Sequence, residues 1–269
     1  MKYMKTVFLL TIFQMIFLSS LYASIQKFDQ NHYAPTDYGL RDLVFEVKIL
    51  NLKNLIKEQL KISQVEDIYF LVYWVYPNIY RIKVNGLPDG FIQLKNQLTQ
   101  QVNRQIDYVI PIKYSERLKG YQLETKKDGN FIVVTANDKT GTKDVNELKL
   151  FFDQNSKLKK TTALGLSGLV TSNYKMNTTK WNRKRFLIFS KDTINKKGLF
   201  TTTTKETIKY DNFDKFIFPK ELVSIIKVQS KNQKNKVRTL RSVVEIFSFN
   251  NYIINKGVAK KYIDETNKK

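Results

Sequence analysis

The amino-acid sequence predicts an α+β fold, in which helices cover the concave face of one large, curved antiparallel sheet, a half-open β-barrel. Three observations predict it. An early segment alternates between apolar and polar residues, two further segments carry apolar residues at helical spacing, and the chain after Pro111 is nearly all strand-like. Short polar turns separate the later strands, and such turns join antiparallel neighbours. The strand order is therefore predicted to be a meander.

The first half of the chain mixes strands and helices. Residues 43–49 alternate and predict a strand with one buried side, and residues 51–61 have the spacing of a short amphipathic helix. Residues 67–76 are apolar on both faces, so this strand is either covered on both sides or lines an apolar hollow. Residues 78–84 complete a hairpin with it, and residues 91–108 return to helical spacing.

The second half is predicted to be a series of strands. Candidate strands are residues 121–125, 131–136, 145–153, 157–174, 183–191, 201–210, 216–228 and 237–254. The tetrapeptide Gly165-Leu166-Ser167-Gly168 falls inside one of them, and we interpret it as a bulge or bend in a long strand. It is too short and isolated for a nucleophile elbow or a phosphate-binding loop.

Residues 1–23 have the layout of a secretory signal peptide. Lys2 and Lys5 precede a short apolar run, and Ala23 provides a small residue for cleavage. The run is shorter than the roughly 18–20 residues needed to cross a bilayer, so an uncleaved anchor is the weaker alternative. We expect cleavage after Ala23 and a periplasmic protein. Residues 24–269 contain no linker-like stretch and are predicted to form a single domain with a short basic C-terminal tail.

The composition excludes several kinds of chemistry. The chain has no cysteine, which excludes disulfides, thiolate nucleophiles and thiolate metal sites, and His32 is its single histidine. The carboxylate pairs fall in polar turns and strand edges, where we expect them to stay solvated; they are Asp37/Asp42, Glu66/Asp67 and Asp144/Glu147. We therefore expect no enzyme activity, no metal and no cofactor. An enzyme acting on an envelope polymer would need two of these carboxylates to converge in a cleft.

The charge is strongly positive. The sequence has 46 lysines and arginines against 24 acidic residues, a formal net charge of +22. Such an excess favours a polyanionic neighbour, and because export argues against nucleic acid, the expected one is an anionic membrane surface. The lysines are scattered, however, so the charge is equally compatible with a compositional bias that has no specific role.

Aromatic residues make up 13% of the chain, and many of them fall on one face of successive strands. Large, stiff side chains on a concave sheet can leave room for a flexible ligand, although the same residues could simply fill a core. We predict an apolar cavity lined by Phe45, Val47, Tyr69, Leu71, Tyr73, Tyr80, Ile82, Phe91, Leu94, Leu98, Leu150 and Phe152. Both faces of residues 68–76 are apolar, so alternation does not decide which face lines the cavity. We assign Tyr69, Leu71 and Tyr73 to the cavity side.

Four segments carry a family resemblance: residues 33–45, 146–158, 216–223 and 245–255. With them the chain resembles the periplasmic outer-membrane lipoprotein carrier and lipoprotein-sorting superfamily. The resemblance implies a half-open antiparallel barrel closed by helices, which binds acyl chains or lipoproteins between sheet and helices and has no catalytic residues. The strong positive charge and the segment 51–62 depart from the pattern of the carriers.

Two hypotheses follow. The first is a lipid- or lipoprotein-binding carrier or chaperone, acting as a monomer, whose apolar cavity holds acyl chains. The second is a non-catalytic envelope sensor or structural module with a filled core, which binds a protein or glycan through its basic surface. The carrier requires an apolar pocket under helices that can move, whereas the module requires only a contiguous basic patch.

Overall fold

The computed structural model describes residues 23–60, 66–178, 184–231 and 237–268. In these ranges the chain forms one 12-stranded sheet and a few helices, which confirms the predicted α+β fold class. The strands are β1 (Asp42–Ile49), β2 (Tyr69–Val75), β3 (Ile79–Asn85), β4 (Gln122–Asp128), β5 (Phe131–Asn137), β6 (Val145–Phe152), β7 (Leu158–Gly165), β8 (Gly168–Asn177), β9 (Leu187–Lys197), β10 (Phe200–Phe213), β11 (Phe216–Lys231) and β12 (Val237–Ile254). The helices are α1 (residues 23–31), α2 (Leu52–Leu60), α3 (Ile92–Asn103), α4 (Ile106–Val109), α5 (Tyr114–Arg117) and α6 (Val258–Thr266), with a 3₁₀ turn at Pro35–Tyr38.

The strand order is β3-β2-β1-β12-β11-β10-β9-β8-β7-β6-β5-β4. Apart from the β1–β12 pair, neighbours in the sheet are neighbours in sequence, so the predicted meander is confirmed. The order has two ends, β3 and β4, and the sheet is therefore not closed into a full barrel. The connection between these two edge strands carries α3, α4 and α5.

Two predicted elements are each divided in the structure. The predicted strand 157–174 is two strands, since Gly165 pairs with Gly168 across a hairpin with Leu166 and Ser167 at its tip. Gly168 has a φ of +91°, and a Cβ on Gly165 would meet the carbonyl oxygen of Asp144. The glycines thus mark a tight turn beside a neighbouring backbone, and their interpretation as a bulge is wrong. The predicted helix 91–108 is likewise divided, into α3 and α4.

The chain divides into two compact units. Unit 1 contains the residues up to 33 together with 113–205 and 227–242, and unit 2 contains 34–112, 206–226 and the residues from 243 onward. Of the predicted signal peptide, residues 1–22 lie outside the described residues. Among the helices of the described ranges, none is long and apolar enough to cross a membrane.

In unit 1, α1 packs on the sheet. Ile25 and Phe28 are 0% and 1% exposed. They share a core with Leu118, Val134, Ala136, Leu150, Phe152, Leu158 and Met176. Asp29, on the same helix, is buried and accepts hydrogen bonds from the backbone N–H groups of Tyr114 and Ser115, both at 2.9 Å. These bonds satisfy donors at the start of α5, so α1 positions that helix as well.

In unit 2, the C-terminal segment, predicted to be a short basic tail, forms a helix that packs on β1 and β2. Ala259 and Ile263 of α6 are buried in a cluster with Val44 and Tyr73. The ring of Tyr262 stacks on that of Tyr73 with centroids 3.8 Å apart. The spacing of these three α6 residues is helical, and this pattern could have predicted the helix.

Candidate functional site

Cross-strand pairing in unit 2 places four of the predicted site residues on one face of the sheet. Phe45 pairs with Val72 and Val47 with Phe70, and on the next strand pair Val72 is opposite Ile82 and Trp74 is opposite Tyr80. Directly paired residues point to the same side of a sheet. We call this side the aromatic face, defined by Phe45, Val47, Phe70, Val72, Trp74, Tyr80 and Ile82.

Tyr69, Leu71 and Tyr73 alternate with these residues and lie on the opposite side of the sheet, where Tyr73 pairs with Val44 and with Arg81. The prediction that the three share a side with the other cavity residues is therefore wrong. The physical reason is that β2 is covered on both sides, and α6 covers this one. Burial, with the nearby Tyr262, raises the pKa of the Tyr73 hydroxyl.

Two further predicted residues lie elsewhere. Leu150 and Phe152 belong to the core of unit 1, where the ring of Phe152 lies 5.6 Å from that of Phe28. The structure therefore gives them a packing partner in α1. No helix was predicted over residues 24–31, so this packing partner could not be anticipated.

The aromatic face continues onto β11 and β12. The ring of Phe45 stacks on Tyr252 at 5.7 Å, and Tyr252 stacks in turn on Phe218 at 4.6 Å. In a regular strand, residues separated by an odd number of positions, such as Phe249 and Tyr252, point to opposite sides of the sheet. Here they share a side, because the pairing of β12 with β1 has a register shift between Val44 and Glu46. Strict alternation along 245–254 could not have shown this.

A buried hydroxyl lies within this aromatic layer. The Tyr252 hydroxyl donates to the carbonyl oxygen of Pro219 at 2.6 Å, and burial raises the pKa of Tyr252. Burial also raises the pKa of the nearby Tyr210 on β10. Both tyrosines are therefore neutral near pH 7, and the layer presents no phenolate charge to an apolar neighbour.

Helix α3 follows β3, and it supplies the remaining predicted residues together with Phe91, which immediately precedes it. Leu98 is buried, whereas Phe91 and Leu94 are half-buried. The Tyr80 hydroxyl donates to Asn103 Oδ1 at 2.6 Å, and this exposed bond ties the end of α3 to the aromatic face.

Helix α4 is held differently. The Tyr108 hydroxyl donates to Glu206 Oε2 of β10 at 2.7 Å, and both residues are buried. Breaking a buried hydrogen bond costs more free energy than breaking an exposed one, because water does not readily replace the lost partner. The described contacts therefore fix α4 more firmly than α3.

The candidate catalytic carboxylates have structural contacts. Asp67 is exposed and paired with Lys53 at 3.0 Å, which lowers its pKa, and Glu147 is paired with Lys149 at 2.9 Å. Asp42 is buried, contrary to the expectation that it is solvated, and it accepts the Lys260 N–H of α6 at 2.8 Å. Among the described residues, no group of three His, Asp or Glu side chains could hold a metal ion.

No protein-family model and no curated protein matches the chain. Among solved structures, a LolA superfamily protein from Nitrosomonas europaea is similar, with 9% sequence identity and a TM-score of 0.29. The match covers 88% of this chain and 94% of that chain.

Proposed function

We propose that the protein is a non-enzymatic periplasmic carrier or chaperone for a lipid or lipoprotein in outer-membrane sorting. Its acyl-binding site is the aromatic face of unit 2, uncovered when α3 moves. The observation that carries the proposal is the continuous layer of apolar and aromatic side chains on β1, β2, β3, β11 and β12, next to a helix with an exposed tether.

The apolar layer provides the driving force that a carrier needs. Each methylene buried from water contributes about 0.8 kcal/mol, so a chain of about 16 carbons would gain on the order of 10 kcal/mol. The acyl chain would replace the side chains that α3 contributes, such as Leu98 and Val102. Part of the gain therefore offsets the cost of displacing the helix.

Movement of α3 is favoured over movement of α4 by their tethers. The bond between Tyr80 and Asn103 is exposed, and water can replace it at little cost. The bond between Tyr108 and Glu206 is buried, so its loss would cost more than the loss of an exposed bond. The carrier therefore opens at α3 and keeps α4 in place.

Native mass spectrometry of the mature chain, purified from a host with intact membranes, tests the proposal. We expect stoichiometric phospholipid or lipopeptide to remain bound, and lipid extraction then identifies its class. A lipid-free mass combined with no binding of an acyl-chain fluorophore would contradict the carrier.

A reversible crosslink tests the role of α3. Because the chain has no cysteine, the double substitution Tyr80→Cys and Asn103→Cys introduces the only two thiols. A bifunctional maleimide with a disulfide in its spacer can then join β3 to the end of α3. We expect fluorophore uptake to fall at least about tenfold on crosslinking, because the helix can no longer leave the sheet, and to recover on reduction.

The control for the crosslink is the same double variant treated with a monofunctional maleimide, which modifies both positions without joining them. It should bind like the unmodified variant. Unchanged uptake after complete crosslinking would show that the ligand does not enter under α3.

The sensor or structural module remains a second candidate, and one observation favours it: Phe45, Val72 and Trp74 are all 0% exposed, as in a filled core. In that case the exposed lysines carry the function. The mass-spectrometry experiment separates the two candidates, because only the carrier retains an acyl ligand.

A further inference from the structure

Several turns of unit 1 lie side by side at one end of the sheet. The tip of the β7–β8 hairpin, Leu166-Ser167, is next to the loop 138–144, since the Leu166 N–H donates to the carbonyl oxygen of Asp144 at 3.1 Å. The β9–β10 turn follows, because β8 and β9 pair up to Leu169 and Lys196. We call this set of turns the hairpin end, defined by residues 138–144, 164–169 and 194–200.

The hairpin end exposes an unusual number of large apolar side chains. At the two tips, Leu166 is 76% exposed, Leu199 is 60% exposed and Phe200 is 53% exposed. Behind them, Leu164 and Leu169 form a cross-strand pair and are 48% and 43% exposed. Neighbouring apolar residues exposed at turns are typical of an interaction surface, whereas turns with no partner are usually polar.

Lysines flank these apolar tips. The hairpin end contains four lysines and two aspartates, and Lys231 lies beside it, since its N–H donates to the carbonyl oxygen of Leu199 at 2.9 Å. Asp138 keeps its negative charge, since hydrogen bonds within its own loop lower its pKa, and Lys143 lies over the Tyr121 ring. The four lysines and Lys231 outnumber the two aspartates, so the surface around the apolar tips has a net positive charge.

We propose that the hairpin end docks on an anionic phospholipid bilayer, with Leu166, Leu199 and Phe200 inserted into the interface. The charge complementarity commits the proposal to this partner. Apolar tips alone would fit a protein groove as well, but lysines in the same turns match the lipid phosphates that surround an inserted side chain. The lysine stems can extend along the acyl boundary while their ammonium groups reach the headgroups.

The inference deepens the proposed function, because a carrier has to meet the membranes between which it moves its cargo. The two proposals can fail separately. A protein that binds vesicles through the hairpin end but retains no lipid in native mass spectrometry would contradict the carrier alone. A lipid-loaded protein that does not bind vesicles would contradict the docking surface alone.

Vesicle flotation of the full mature chain tests the docking surface. We expect binding to vesicles of phosphatidylcholine and phosphatidylglycerol in equal parts, and at least about tenfold weaker binding to phosphatidylcholine alone. The double substitution Leu166→Ser and Phe200→Ser should weaken binding to the mixed vesicles by about tenfold or more, because it removes two apolar anchors. Leu55→Ser, at a residue of α2 that is 47% exposed, is the matched control and should bind like the unmodified protein.

A second measurement does not depend on the stability of the double variant. Ser167→Cys places a unique thiol at the hairpin tip, where an attached environment-sensitive fluorophore should shift to the blue on addition of the mixed vesicles. The same label at Leu55→Cys should not shift. An unshifted label at position 167, or equal vesicle binding by the double variant and the unmodified protein, would overturn the proposal.

Discussion

Replacing Phe45 by alanine is expected to lower the free energy of unfolding by about 3–5 kcal/mol. Phe45 is 0% exposed, and its ring lies 5.7 Å from that of Tyr252 and 6.5 Å from that of Phe249. Loss of the ring removes buried apolar area and leaves a void between two strands that cannot fully collapse. Urea denaturation followed by Trp74 fluorescence measures the change, in a Trp181→Phe background that leaves one tryptophan in the chain.

Phe200→Ala is the matched control for this experiment, since it removes the same ring from a residue that is 53% exposed. Its cost should stay within about 0.5 kcal/mol. A cost below about 1 kcal/mol for Phe45→Ala would contradict the close packing of the aromatic face. It would indicate that the strands have room around position 45 even with α3 in place.

The fold could be predicted because most of its strands are bounded by polar turns or a proline. β1 alternates, the turn after β2 contains a proline, and the later strands are separated by clusters of Asn, Asp and Gly. The β7–β8 hairpin could not be recognised as two strands, because its turn has only two residues and one of them is a leucine. A search for polar turns cannot find a turn that has an apolar residue at its tip, such as Leu166.

The candidate site could be predicted only in part, because periodicity identifies a buried residue without identifying what covers it. For β2, both sides are apolar, and the choice between them depends on α6, which lies far away in the sequence. Tyr252 was missed for a related reason, since a register shift in the pairing with β1 changes the side on which it lies. Both errors arise from contacts that are remote in sequence and therefore have no local signal.

Replacing Phe28 by alanine is expected to lower the free energy of unfolding by about 3–5 kcal/mol as well, through unit 1. Phe28 is 1% exposed, and its ring lies 5.6 Å from the rings of both Tyr114 and Phe152. Urea denaturation measures the loss, and hydrogen exchange should show faster exchange in α1 and α5. Lys27→Ala is the matched control, because this neighbouring side chain is exposed and its removal should change stability by less than about 0.5 kcal/mol.

The effect should extend beyond the ring itself, because α1 holds Phe28 and Asp29 on one short helix. If α1 detaches from the sheet when the Phe28 ring is removed, the hydrogen bonds that Asp29 accepts from the Tyr114 and Ser115 N–H groups are lost as well. Phe28→Ala and Asp29→Ala should then be less than additive, with a coupling of about 0.5–3 kcal/mol in a double-mutant cycle. Full additivity would show that the two residues stabilise unit 1 independently and that α5 is held without α1. Coupling would mean that the helix next to the predicted cleavage site is a cooperative part of the core of unit 1.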